Sequence, residues 1–346
     1  MARKDIYVSI PNTTGIESVN ISESYGQTSS VATVLCTDTD LVLNSPITIN
    51  LGYTDAHNNL FTGRVKSVTR ARADGLYKLQ CRDTLIDAAD MFMVSADPEA
   101  PWGRSNISAE DLVGDLLEEA FIYSYTPTPP MSFTYGLNAP AEFNFVSVMD
   151  AIGEICRTLV WHVWADGGTV YFSDIKPYYR TGADKDEEYG ESGNEDDVIS
   201  HVLSTADVMI PETDPPQKPI ITGFELTVSD EDLRNKVMVF GREDITATAS
   251  AESPYLPPDF YKTVVIASQL IDSGGMAEAT ANFNLKRLNR LTETAQIDCL
   301  GDSTIRARQF IQINEKTTDP TGFWFIETIN HIISNGGYTV RLSVRK

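Results

Sequence analysis

The fold of this chain is indicated by one stretch near its start, PITINLGYTDAHNNLFTGRVKSVTRARADGLYKLQCR, residues 46–82. Apolar and polar residues alternate on both sides of Asp74-Gly75. Period-two alternation around an Asp-Gly pair is a strong local signal for a β-hairpin. After the turn, alternation predicts one face with Tyr77, Leu79 and Cys81 and an opposite face with Lys78, Gln80 and Arg82. We therefore predict antiparallel sheet with one buried face.

A second copy of the pattern closes the chain, in FIQINEKTTDPTGFWFIETINHIISNGGYTVRLSVR, residues 310–345. Both copies have two alternating isoleucines, a later aromatic residue, and a glycine turn followed by tyrosine. The matched residues are Ile47 and Ile49 with Ile311 and Ile313, Phe61 with Phe325, Val65 and Val68 with Ile329 and Ile332, and Leu79 and Cys81 with Val340 and Leu342. The match predicts an internal duplication of a β domain, built as a sandwich or barrel.

Helical patterns separate the two copies. In NISAEDLVGDLLEEA, residues 106–120, Ser108 and Asp111 form a capping-box start and the apolar residues form one stripe. FNFVSVMDAIGEICRTL, residues 143–159, predicts a second helix, and a hairpin turning at Asp166-Gly167-Gly168 follows it. The segment SGGMAEATANFNLKRLNRL, residues 273–291, predicts a third helix.

These patterns predict a mainly β chain of the α+β class, divided into several parts. The predicted parts are a first β-barrel (1–95), a small α+β domain (96–180), an acidic and proline-rich linker (181–218), a second β-barrel (219–243 and 293–346) and a helical insertion (244–292).

The charge of the chain limits its function. Its 346 residues include 49 acids and 27 lysines and arginines, for a formal net charge of −22. A protein that mainly grips phosphates normally carries the opposite sign. Four bases nevertheless cluster on the hairpin, at Arg64, Lys66, Arg70 and Arg72, without the interleaved aromatic residues that stack on bases. A nucleic-acid contact remains one interpretation, but pairing with acidic neighbours or with another subunit is favoured.

No chemical motif accompanies this framework. Cys36, Cys81, Cys156 and Cys299 lie in apolar surroundings without a C-x-x-C pair, which is typical of reduced core residues. In WHVW, alternation predicts that Trp161 and Val163 share the face opposite His162 and Trp164, so core packing is favoured over a ligand site. We predict no catalytic residues, no metal site, no cofactor, and neither a signal peptide nor a membrane-inserted segment.

The order of the motifs carries a resemblance. The relevant segments are LFTGRVKSV (60–68), SAEDLVGDLLEEA (108–120), FVSVMDAIGEICRTLVWHVWADGGTVYF (145–172), DLRNKVMVFGRE (232–243), AEATANFNLKRLNRL (277–291) and FWFIETINHIISNGGYTVRLSVRK (323–346). Over nearly the whole chain this order resembles the bacteriophage tail baseplate hub family, related to phage late control D proteins and to the hub part of type VI secretion spikes. The resemblance implies two tail-tube-like β-barrels per chain and a homotrimer with a pseudo-six-fold ring.

The resemblance also implies a structural function and a set of partners. The ring would join a hexameric tail tube to a trimeric central spike in the tail baseplate of a virion, after assembly in the host cytoplasm. Further partners would be the tape-measure protein and other baseplate proteins, with DNA only passing through the lumen. An acidic lumen would keep DNA from adhering.

Two loops are predicted to make equivalent ring or tube contacts, because TDAHNNL (54–60) and EKTTDPTG (315–322) occupy equivalent places in the two copies. The predicted contact residues are Asp55, His57, Asn58, Asn59, Lys316, Thr318 and Asp319, with Arg64, Lys66, Arg70 and Arg72 as an inter-subunit basic face. Two other functions stay open: a tail-tip cell-wall hydrolase with paired carboxylates, and a receptor-binding module in which Tyr178, Tyr179 or Trp102 stacks on sugars.

Overall fold

The computed structural model describes residues 5–26, 29–70, 75–95, 101–128, 134–136, 140–159, 161–173, 199–205, 221–315 and 323–346. The elements in chain order are β1 (Ile6–Ser9), β2 (Thr13–Ser24), β3 (Val31–Thr39), β4 (Pro46–Tyr53), β5 (Ala56–Arg70), β6 (Tyr77–Asp83), α1 (Leu85–Asp90), β7 (Phe92–Met93), β8 (Trp102–Arg104), β9 (Ile107–Ser108), α2 (Ala109–Glu119), β10 (Tyr125–Thr128), β11 (Thr134–Tyr135), β12 (Ala141–Phe143), β13 (Val146–Ser147), α3 (Val148–Leu159), β14 (His162–Asp166), β15 (Thr169–Ser173), β16 (Ile199–Ser204), β17 (Ile221–Ser229), β18 (Lys236–Phe240), β19 (Thr246–Ser250), β20 (Thr263–Ala267), α4 (Gly274–Leu288), β21 (Thr292–Leu300), β22 (Phe310–Asn314), β23 (Phe323–Ser334) and β24 (Gly337–Arg345).

The largest feature is a twelve-stranded sheet made of two similar halves. The first half has the strand order β1-β4-β5-β6-β3-β2, and the second has the order β16-β22-β23-β24-β21-β17. Chain order and spatial order therefore agree strand by strand, which confirms the internal duplication and the mainly β fold. The halves differ at one end, because β1 pairs with β4 antiparallel whereas β16 pairs with β22 parallel.

The two β domains that the sequence predicts as separate barrels are joined in one sheet. Strand β2 of the first half pairs with β23 of the second, so that both halves belong to a single sheet. No pairing among the described strands closes either half into a barrel. One hydrophobic core is shared by the two halves, with fully buried residues from both, such as Ile49, Leu79, Ile313 and Leu342. We refer below to the two halves as the first repeat and the second repeat.

Two β-bulges recur at equivalent places in the repeats. One lies between Ile16 and Ser18 on β2, and its counterpart lies between Ile221 and Gly223 on β17. The other lies between Val65 and Ser67 on β5, and its counterpart lies between Ile326 and Thr328 on β23. Because a bulge fixes the local register of a pair of strands, these positions align the two repeats residue by residue.

Left-handed residues before β5 and β23 support the same alignment. Asn44 and Arg308 have φ angles of 64° and 70°. Their amides donate to the carbonyls of Val65 (2.7 Å) and Ile326 (2.9 Å), respectively. Val65 therefore corresponds to Ile326.

The sequence alignment is thus confirmed for Ile47 with Ile311 but was wrong in the next two strands. The predicted matches of Val65 with Ile329 and of Leu79 with Val340 are wrong. The bulges and strand registers match Val65 with Ile326 and Leu79 with Leu342.

The middle of the chain forms a second core around α2 and α3. Ser108 caps α2, since its hydroxyl accepts the amide of Asp111 at 3.1 Å, as the sequence predicts. The hairpin of β14 and β15 turns at Gly167-Gly168, also as predicted. Trp161 and Val163 belong to this core, in agreement with the predicted alternation.

A third core lies in the region expected to be a helical insertion. Helix α4 packs on a sheet of β19, β18 and β20, so the region contains strands as well as a helix. Strand β18 was expected in the second barrel, but it pairs with β19 and β20 instead. A turn at Asp230–Leu233 separates it from β17 and directs it out of the large sheet. No described helix is both long and apolar enough to span a membrane.

Candidate assembly interface

The two repeats meet at an internal seam, which we define as the pairing of β2 with β23. Its register runs antiparallel from Val19 opposite Ile333 to Ser24 opposite Thr328. Ile21 and Ile329 are fully buried there. Continuous backbone pairing together with a common core means that the first repeat is completed by the second.

A buried ion pair lies at the internal seam. One carboxylate oxygen of Glu23 lies 2.9 Å from Nη1 of Arg306, and the other lies 3.5 Å from Nη2 of Arg308. The side chains of Glu23 and Arg308 are only 7% and 9% exposed. Burial lowers the pKa of Arg308, and the nearby Glu23 carboxylate opposes this effect. The pair therefore satisfies charges that would be costly if either partner were missing.

Two of the predicted loop residues also contact the second repeat within the chain. The Asn58 amide donates to the carbonyl of Ser303 at 3.2 Å and lies 3.1 Å from its hydroxyl. The carbonyls of Asn59 and Leu60 accept hydrogen bonds from the Arg306 guanidinium. Both asparagines therefore contribute to the contact between the two repeats, next to the internal seam.

Two further predicted loop residues, Asp55 and His57, lie in or next to the turn between β4 and β5. His57 stacks on Tyr7 with the ring centroids 4.0 Å apart. Lys316, Thr318 and Asp319 lie outside the described residues, so their proposed contact stays a prediction.

The predicted basic face is largely paired inside the chain. Arg64 lies 3.3 Å from the Asp87 carboxylate, and Lys66 lies 2.8 Å from that of Asp90. Both acids belong to α1, which directly follows the hairpin. Arg70 lies over the ring of Tyr77, and Arg72 is outside the described residues. Pairing with acidic neighbours is therefore what the structure shows for Arg64 and Lys66.

Each strand of the internal seam has a counterpart in the opposite repeat, and these two counterparts have edges without a neighbouring strand among the described residues. By the bulge alignment, β17 corresponds to β2, and the Ser67–Arg70 segment of β5 corresponds to Thr328–His331 of β23. Residues 223–229 of β17 pair with β21 alone among the described strands. On β5, Ser67–Arg70 pair with β6 alone within the part of the chain that the structure describes. We call these two segments the open edges.

Apolar side chains are exposed at the open edge of β17. Leu226 is 41% exposed and Val228 is 54% exposed, whereas their counterparts Ile21 and Glu23 at the internal seam are 0% and 6% exposed. Sequence analysis missed this site, although the alternation in FELTVS marks Phe224, Leu226 and Val228 as one face of a strand. Their exposure depends on the place of β17 at the end of the sheet, which no local pattern reveals.

A site for a small ligand is poorly supported. In the described residues no group of three or more His, Cys, Asp or Glu side chains could hold a metal ion. A cavity beside Glu23 and Asp166 measures about 10 Å³, and one beside Asn235 and Phe260 measures about 90 Å³. Small-molecule sites usually measure about 300 Å³ or more.

Comparisons with known proteins agree with this picture of the fold. The YQBQ-like family matches residues 268–345, and no curated protein matches the chain. A tail protein from Neisseria meningitidis MC58 has a TM-score of 0.70 at 11% identity, covering 99% of this chain and 97% of its own. The 43 kDa tail protein of prophage MuSo2 from Shewanella oneidensis has a TM-score of 0.66 at 10% identity, with the same coverage. An Escherichia coli type VI secretion component has a TM-score of 0.58 at 6% identity, covering 98% of this chain and 76% of its own. The chain therefore has a fold that phage tail proteins and a type VI secretion component share.

Proposed function

We propose that this protein is a structural hub of a phage-type tail, in which three copies form a ring of six similar repeats. The observation that carries the proposal is the relation between the internal seam and the open edges. Within one chain, β2 joins β23; the corresponding strands β17 and β5 are open. Pairing β17 of one copy with β5 of the next repeats the same contact head to tail, and three such contacts form a ring if the rotation between copies is 120°.

The duplication suits a protein that joins a six-fold symmetric structure to a three-fold symmetric one. Three chains with two repeats each present six similar units to a hexameric tail tube, while the whole trimer keeps the symmetry of a three-fold spike. We propose the tube protein, the spike, the tape-measure protein and neighbouring baseplate proteins as partners. The baseplate of the virion, assembled in the host cytoplasm, is the proposed location. We propose the parts of the chain given above, with the two repeats in place of the two barrels and with two changes. Strand β16 (Ile199–Ser204) belongs to the second repeat, and β18 (Lys236–Phe240) belongs with residues 244–292.

The composition of the chain supports passage of DNA without adhesion. A net charge of −22 per copy repels a polyanion, although screening limits this repulsion to about 8 Å at physiological salt. Only residues that face the lumen would therefore contribute. The two bases of the hairpin that pair with Asp87 and Asp90 are partly neutralised and leave little positive charge for DNA.

The alternative functions lack a supporting observation. The solved structures of similar fold named above are two tail proteins and a type VI secretion component, and the cavities named above are too small for a glycan subsite. Of the aromatic residues considered for sugar stacking, Tyr178 and Tyr179 lie outside the described residues. Trp102 donates to Glu119 at 3.0 Å and lies under the Arg104 guanidinium. Its ring is therefore occupied within the chain.

Native mass spectrometry combined with negative-stain imaging of the purified chain tests the proposal. A trimer whose class averages show a central hole and six similar lobes would support it. A chain that stays monomeric at every concentration and also fails to form a ring with tail-tube and spike proteins would overturn it.

A further inference from the structure

The open edges carry apolar residues where the internal seam carries charges. Val228 of β17 corresponds to Glu23 of β2, since each lies seven residues after the first residue of its bulge. Leu226 corresponds to Ile21 in the same way. Glu23 is held by Arg306 and Arg308, so its counterpart Val228 needs a different kind of neighbour.

The neighbour of Val228 can be read from the same alignment. Asn44 corresponds to Arg308, so the residues two and one before it, Val42 and Leu43, correspond to Arg306 and Ala307. Val42 is 65% exposed and Leu43 is 61% exposed. The amide of Asn44 donates to Val65, which places this loop directly beside the open edge of β5. Valines therefore lie at the two positions, Val228 and Val42, that correspond to the charged residues Glu23 and Arg306.

We infer that Val228 of one copy packs against Val42 of the next copy, as the apolar replacement of the Glu23–Arg306 pair. The inference rests on the proposed ring and adds its register and its chemistry. The register of the internal seam, transferred through the bulges, places Val228 opposite Val68 and Leu226 opposite Arg70 of the next copy. The aliphatic stem of Arg70 can cover Leu226 while its charge stays in water.

The difference in chemistry follows from how each contact forms. Glu23 and Arg306 belong to one chain, so their burial accompanies folding. The contact between copies forms from side chains that already exist in water on separate molecules. Removing apolar side chains from water favours association, whereas a charge pair would have to be desolvated, at a cost, when the copies meet. Association through Val228 and Val42 should accordingly depend only weakly on salt.

A charge-exchange experiment tests the inference on the full chain. Val228→Glu places an unpaired carboxylate in the contact and should weaken each contact by about tenfold or more. Because a closed trimer has three identical contacts, its dissociation constant should rise about a thousandfold. The double variant Val42→Arg with Val228→Glu recreates the residues of the internal seam and should restore the trimer, now with stronger salt dependence. Val265→Glu is the control, since Val265 is 58% exposed on β20.

Sedimentation velocity at several concentrations and two salt concentrations distinguishes the outcomes. Unfolding curves of the separated monomers verify that each variant is folded. A wild-type trimer that Val228→Glu leaves intact would overturn the inference and leave the ring standing. A double variant no better than Val228→Glu would overturn the pairing of Val228 with Val42. Absence of any wild-type trimer, alone or with tube and spike proteins, would overturn the proposed function itself.

Discussion

Glu23 of the first repeat and Arg306 of the second are 283 residues apart in the chain and lie 2.9 Å from each other. Arg306 also donates to the carbonyl of Leu60 at 3.2 Å. One arginine thereby ties the second repeat to two strands of the first. The contact therefore links the two repeats through the carboxylate of a single residue.

Replacing that carboxylate should destabilise the chain strongly. Glu23→Gln keeps the shape of the side chain but removes the carboxylate charge that lies beside both Arg306 and the 9% exposed Arg308. Breaking a buried pair in this way costs about 3 kcal/mol or more. Urea unfolding at fixed protein concentration measures the loss. Asp298→Asn is the matched control, because Arg341 and Asp298 pair at 2.7 Å with 59% and 49% of their side chains exposed; its cost should stay below about 1 kcal/mol. Equal costs for the two variants would contradict the importance of the internal seam.

Acid should destabilise the fold through His331. This side chain is fully buried with Nδ1 2.8 Å from the Tyr338 hydroxyl, and burial together with the Arg306 charge lowers its pKa to about 3. In the unfolded chain the pKa of this histidine is about 6.5, so the unfolded chain binds a proton that the folded chain excludes. The contribution of His331 to the free energy of unfolding is therefore fully present above a pH of about 6.5. It falls by about 1.4 kcal/mol per pH unit on acidification towards pH 3.

His331→Phe should remove this slope, because the variant has no proton to take up. Unfolding free energies from pH 7 to pH 4 for the wild type and the variant isolate the effect, since other titrating groups cancel in the difference. Tyr338→Phe is the control: it removes the hydrogen bond, at a cost of about 1 kcal/mol, and keeps the slope. Parallel curves for the wild type and His331→Phe would show that His331 does not titrate as described.

Two glycine substitutions should have opposite effects. At Gly63 on β5, a Cβ would lie 2.1 Å from the carbonyl oxygen of Arg82 on the neighbouring strand, and the backbone there cannot easily move. Gly63→Ala should therefore cost about 3 kcal/mol. At Gly153 in α3 nothing lies within 4 Å of the added Cβ, so Gly153→Ala should stabilise the helix by about 1 kcal/mol. Chemical denaturation of both variants measures the difference, and a stabilising Gly63→Ala would disprove the close approach of β5 and β6.

Local features of this fold were predictable from the sequence because their causes are local. The cap at Ser108, the hairpin at Gly167-Gly168 and the two faces of β6 each depend on residues within a few positions of one another. The duplication itself was also visible, since it repeats a pattern of strands and turns.

The exact alignment of the repeats was not predictable for a physical reason. Ile326, Ile329 and Ile332 are spaced three apart, so a slip of three residues still matches apolar with apolar. In β24 the apolar residues alternate with period two, so a slip of two goes equally unnoticed. Only the bulges, which depend on strand pairing, determine the register. The internal seam is hidden from sequence analysis in the same way, because it joins residues hundreds of positions apart, and the open edges become visible only once the strand order is known.

We expect the basic residues of the first hairpin to contribute to the stability of the fold and not to bind DNA. Arg64 and Lys66 pair with Asp87 and Asp90 on the surface, where such pairs contribute below about 1 kcal/mol each. Arg64→Ala and Lys66→Ala should each lower the unfolding free energy by no more than this. The wild type should show no binding of duplex DNA in fluorescence anisotropy at physiological salt, because the net charge of −22 opposes it. Salt-dependent binding by the wild type that the double variant loses would instead identify this hairpin as a DNA contact.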